Sequence, residues 1–180
     1  MQEPNIRDKA KQDRNWLQKL GRIVPGFSGY LRKEERRDTD KILREHLAKR
    51  LERVRKRLDP VMRDLTDQGG FDTLSVVNDL DRVKTVLDRL ISRVRYASYG
   101  YSGLFDAVKI KDDELDRLYQ FDVALLERVD TLEEAIDGLT DAGLSSDERQ
   151  SRARSAIQAC REFDEHLDSR EEMLTSEPAE

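Results

Sequence analysis

Leu47, Leu51, Val54, Leu58, Val61 and Leu65 recur at intervals of four, three, four, three and four. That alternation puts all six on one edge of a helix, because an average step of about 3.5 residues keeps pace with the helical turn. Such an edge is stable in water only against another apolar edge, so the chain is committed to packing helix on helix. Pro60 falls inside the seam, where it lacks an N–H and crowds the preceding turn. The register continues past it unshifted, which predicts a kinked helix from about residue 29 to 68. Ser28 is placed to cap that helix, and Gly69-Gly70 stops it.

The same three-and-four alternation returns twice. Leu74, Val77, Leu80, Val83, Leu87, Leu90, Val94 and Ala97 define a third helix that Asp72 can cap. Leu115, Leu118, Phe121, Leu125, Val129, Leu132, Ile136 and Leu139 define a fourth. It begins at Asp112, where Asp113 and Glu114 suit the positive end of the helix dipole. After Ala142-Gly143, Ser145 and Glu148 match the S-x-x-E capping box. They open a fifth helix with Ala153, Ile157, Cys160, Phe163 and Leu167 facing inward. Cys160, the single cysteine, reads as a small buried hydrophobe.

The expected fold is therefore all-α: an elongated antiparallel helical bundle of three to four long helices, with an N-terminal amphipathic helix. The second, third and fourth helices stand side by side, since short connections make sequential neighbours antiparallel. The expected divisions are residues 1–28, a basic amphipathic helix with a Pro/Gly linker; 29–170, the bundle; and 171–180, an acidic disordered tail. Breaks at Gly69-Gly70, Tyr99–Gly103 and Gly143 favour folding back over a self-associating coiled coil. A leftover seam keeps a homodimer open.

Charge is unevenly spread along the chain. Residues 1–60 carry 18 Lys/Arg against 10 Asp/Glu, whereas residues 111–180 carry 8 against 21. Two meanings stay open: an anionic partner for the basic part, or basic and acidic helices facing each other within the fold. The first segment, with Ile6, Ala10, Trp16, Leu17, Leu20 and Ile23 amid Lys9, Lys11, Arg14, Lys19 and Arg22, can rest on an anionic membrane. Trp16, Leu17 and Leu20 are its candidate contacts. No apolar run reaches bilayer length and the first fourteen residues hold no apolar signal region, so a cytoplasmic location, peripheral at the membrane in that version, is expected.

Two short segments resemble each other. Gly26-Phe27-Ser28-Gly29-Tyr30-Leu31 and Gly100-Tyr101-Ser102-Gly103-Leu104-Phe105 both read glycine, aromatic, serine, glycine and two large apolar residues. The antiparallel arrangement brings them to one end of the bundle. Phe27, Tyr30, Tyr99, Tyr101 and Phe105 would then form either a plug or a partner-binding tip.

No catalytic, metal or cofactor signature is found. His46 and His166 follow Leu43 and Phe163 at three residues, where a di-iron bundle wants glutamates. No phosphate-binding glycine loop occurs, and no cofactor is expected. The densest basic run, Lys49, Arg50, Arg53, Arg55, Lys56 and Arg57, is a candidate polyanion face unless acidic helix four neutralises it. The leading expectation is a non-catalytic interaction or scaffold protein that binds a protein partner. The alternative is a nucleic-acid-associated protein using residues 49–57.

Overall fold

The computed structural model describes residues 16–29, 36–96 and 112–175, with side chains for 16–29, 38–96 and 117–172. All regular structure among the described residues is helical. Helix α1 spans Arg36–Lys56, α2 Leu58–Gln68, α3 Phe71–Tyr96, α4 Asp112–Leu139 and α5 Ser146–Thr175. A short helical segment at residues 16–23 precedes them. None of these helices is long and apolar enough to cross a membrane.

The seam behaves as its spacing requires. Leu47, Leu51, Val54, Leu58 and Leu65 are buried and Val61 is half-buried. The helix does break, at Arg57, whose N–H bonds Val54 O in a tightened turn of 3.1 Å. Residue 57 lies between Pro60 and the Lys56 carbonyl that a residue at position 60 would ordinarily bond, so the proline accounts for the break. On α3 the expected stripe holds from Leu80 to Val94, but its first member fails. Leu74 is exposed and Val76 takes the inward place. Asp72 lies inside the first turn of α3 rather than before it.

The capping box at α5 is present in full. Ser145 N donates to Glu148 Oε2 at 2.9 Å and Glu148 N donates to Ser145 Oγ at 3.3 Å. The Ser145 hydroxyl, donating to Glu148 Oε2 at 2.6 Å, and then the Ser145 N–H hold the Glu148 carboxyl below its ordinary range. Helix α5 runs through Thr175, so the acidic stretch expected to be tail from residue 171 is helical for its first part.

Packing partners follow from the side-chain contacts. Arg95 pairs with Glu52, Arg55 with Asp88 and Lys84 with Asp59, so α3 runs antiparallel to α1 and α2. Arg152 donates to Gly138 O, Arg128 to Glu162 O and His166 Nε2 to Phe121 O, which makes α5 antiparallel to α4. The two hairpins then join through parallel pairs. Arg50 meets Asp130 at 2.6 Å and Glu133 at 3.0 Å, and Arg57 meets Asp137 at 2.6 Å, aligning α1 with α4. Gln150 reaches Ser75, and Arg89 and Arg93 reach Asp164, aligning α3 with α5.

The order around the core is thus α1, α3, α5, α4. The expectation that the third and fourth helices stand side by side is corrected: α3 and α4 face each other across the centre. The short-connection rule does not govern them, because fifteen residues separate Tyr96 from Asp112.

At the end where α1 and α4 begin, four charged side chains are buried together. Arg170 donates from NH2 to Asp40 Oδ1 and from Nε to Asp122 Oδ1, both at 2.8 Å, with all three side chains no more than 3% exposed. Asp40 Oδ2 also accepts from Arg44 Nε at 2.7 Å, and Arg44 NH1 donates to Arg95 O. Three helices contribute side chains to this cluster, and α3 contributes the carbonyl. Removing one member of a buried ion network leaves an uncompensated charge, at a cost of about 3–5 kcal/mol. Arg170→Leu is therefore expected to lower unfolding free energy by that order in urea titrations at pH 7. Lys19→Ala, which removes the exposed Lys19–Glu127 pair and the contact of the ammonium with the Trp16 ring, should cost about 1 kcal/mol.

Candidate interaction surfaces

The residues expected to contact a membrane are largely taken up by the fold. Leu20 is fully buried, and Trp16 and Leu17 pack half-buried against the core. The segment 16–29 lies along α1 and α4. Lys19 pairs with Glu127, and a Cβ on Gly26 would meet Ile42. The membrane expectation for Leu20 is therefore overturned: the apolar side of this segment faces the joint between two helices.

The aromatic tip is described in part. Phe27 is buried and meets Tyr119 of α4 edge-to-face, with ring centroids 6.3 Å apart. It closes the core and is not a free contact. Gly29 carries φ +91°, and a Cβ there would come within 2.7 Å of Leu17 and 3.0 Å of the Tyr119 hydroxyl, so glycine is required. Ser28 Oγ and Thr39 Oγ1 lie 3.1 Å apart. Tyr30, Tyr99, Tyr101 and Phe105 lie outside the described residues.

The basic run divides into two sets. Arg50, Arg55 and Arg57 turn toward carboxylates of α3 and α4. Burial works against the Arg50 charge, but the hydrogen bonds it donates to Glu133 and Asp130 outweigh it and raise its pKa. These three are neutralised within the fold. Lys49, Arg53 and Lys56 stay exposed, spaced one turn apart along α1, with no ion pair among the described residues. Their field reaches His46, whose pKa is lowered by burial first and then by Arg50, Arg53 and Lys49, with Glu133 opposing.

The surface that sequence reasoning missed lies at the opposite end, around the α2–α3 turn. Phe71, the first residue of α3, is 94% exposed, and Leu74, three residues on and on the same side, is 57% exposed. Gly69 (φ +66°) and Gly70 (φ +106°) make the turn that presents them. On the opposite side of the first turns of α3, the side of Thr73 and Val76, α2, α3 and the α4–α5 loop enclose a cleft of about 160 Å³, lined by Val61, Asp64, Leu65, Val76, Leu144 and Arg149 among others. The Arg149 guanidinium is turned away onto the carbonyls of Leu139 and Asp141. The available signal was the aromatic directly after a double glycine.

The described residues contain no cluster of three or more His, Cys, Asp or Glu able to hold a metal ion. Cys160 is fully buried, and its thiol is pushed up to about 12 by burial and then by the Asp164 charge. No family model matches the chain, no curated protein matches it, and no solved structure matches it.

A thiol that is both buried and protonated does not act as a nucleophile. Native protein at pH 8 should leave Cys160 unmodified by iodoacetamide over hours, while the same reagent in 6 M guanidinium should label it fully by mass. Rapid labelling of native protein would show that the α5 face opens.

Proposed function

We propose that this protein is a non-catalytic interaction or scaffold protein, an elongated helical bundle that binds a protein partner at its α2–α3 end. The exposure of Phe71 and Leu74 side by side carries the reading. Burying either side chain is worth about 1.5–3 kcal/mol, and neither contributes that to the fold. The rigid hairpin behind the turn holds the pair in place, as suits a docking surface. A photo-crosslinking amino acid in place of Phe71, used in native cell extract, is expected to yield a discrete protein adduct, and the same probe at Thr85 is not. No protein adduct from position 71 would overturn the reading.

A second reading has one observation in its favour: Lys49, Arg53 and Lys56 form an unpaired cationic stripe that fits a polyanion such as RNA or DNA. Retention on single-stranded RNA at 50 mM salt, lost at 300 mM and in Lys49→Glu/Arg53→Glu/Lys56→Glu, is its expected signature. A bound polyanion would also raise the His46 pKa by offsetting the neighbouring cations, which proton chemical shifts would record. Unchanged His46 titration in the presence of RNA removes this reading.

A further inference from the structure

The surroundings of Phe71 and Leu74 limit what can dock there. From Asp64 to Asp81 the chain carries five aspartates and no lysine or arginine. From Asp137 to Glu148 it carries four acidic residues and again no cation. These two stretches meet at the same end of the molecule, because Thr73 and Val76 share a cleft with Thr140, Ala142, Leu144 and Ser146. Asp64, Asp67, Asp72 and Asp147 are exposed and form no ion pair among the described residues. Of the cations near this end, Arg57 is paired with Asp137 and Arg149 is bonded to backbone carbonyls. Exposed Arg63, beside Asp64, is a further cation, and the four aspartates outnumber it, so the surface around the apolar pair is predominantly negative.

Resting on the docking reading above, we propose that this end binds a cationic amphipathic segment of a partner protein. Its apolar side chains would cover Phe71 and Leu74. Its lysines or arginines would stand opposite Asp64, Asp67, Asp72 and Asp147. Complementary potentials of this kind speed encounter and exclude wrong partners. Nucleic acid and anionic membrane are repelled from this end by the same charges, and a neutral apolar segment gains only the Phe71–Leu74 contact. The weaker candidates are the α1 cationic stripe, already treated as a competing reading, and the shallow groove of Phe121, Ala124 and His166, beside which nothing selects an occupant.

The test uses the full chain and a fluorescently labelled 18-residue amphipathic Leu/Lys peptide, with Leu/Gln and Leu/Glu counterparts, by anisotropy at 0.15 M salt. The Leu/Lys peptide should bind, and Asp64→Asn/Asp67→Asn/Asp72→Asn and Phe71→Ser/Leu74→Ser should each weaken it at least about tenfold. Neutralising three exposed acids elsewhere, in Glu45→Gln/Glu134→Gln/Glu165→Gln, should weaken it less than about twofold. All substituted positions are exposed, and thermal melts confirm that the variants fold. If the Phe71/Leu74 variant loses binding while the aspartate variant and the Leu/Gln peptide bind as wild type does, the docking surface stands and its cationic preference falls. If no variant at this end matters, or the Leu/Lys peptide does not bind, the proposal falls. Self-association in sedimentation equilibrium that vanishes in Phe71→Ser would make the occupant a second copy and overturn it as well.

Discussion

A guanidinium taken out of water is destabilising by several kcal/mol unless its charge and donors are met, and Arg170 is met from two other helices. Asp40 of α1 and Asp122 of α4 approach its two faces, while Arg44 occupies the second oxygen of Asp40 and binds the last turn of α3. This arrangement is satisfied only when all four helices end at the same level. Apolar seams tolerate sliding by a turn, since one leucine can replace another against the facing ridge. A buried ion cluster does not, because a displaced partner leaves charge unanswered in a low-dielectric interior. The cluster therefore holds the register that the leucines leave free.

The joint between the hairpins follows the same logic nearer the surface. Basic α1 lies along acidic α4, and the arginines of α3 lie along the carboxylates of α5. At Arg93, burial opposes the charge, yet Asp168 and Asp164 outweigh it and raise the guanidinium pKa. Parallel neighbours set their helix dipoles unfavourably side by side, and the complementary side chains answer for that choice. The swing from basic to acidic along the chain is, in good part, an internal fit.

The helices were legible because period and burial coincide: Leu47 to Leu65, Leu80 to Val94 and Leu125 to Leu139 are inward where their spacing puts them, whereas Phe121, expected on the same stripe, is half-buried in a surface groove beside His166. Pro60 was legible as a disturbance, expected as a kink within one helix where the structure has two, and the α5 start was legible from Ser145 and Glu148. The buried cluster was not. A charged residue on a helix pattern reads as solvated, and nothing local sets Asp122 or Arg170 apart from Glu127 or Arg161. The order around the core was hidden too, since chain proximity speaks only for helices joined by short connections. Of the candidate surfaces, half of the basic face and all of Leu20 proved internal, while Leu74 was assigned to the core because its spacing fits the stripe. The end of a helix is where such a stripe runs out of neighbours, and periodicity carries no information about that.

Each hairpin is sealed by its own contacts, and among the described residues the two meet along α1–α4 and α3–α5. The first hairpin of one molecule is therefore as good a fit for the second hairpin of another as for its own. Two copies that exchanged hairpins would keep the same α1–α4 and α3–α5 pairs between described residues, and raising concentration favours such an arrangement by mass action.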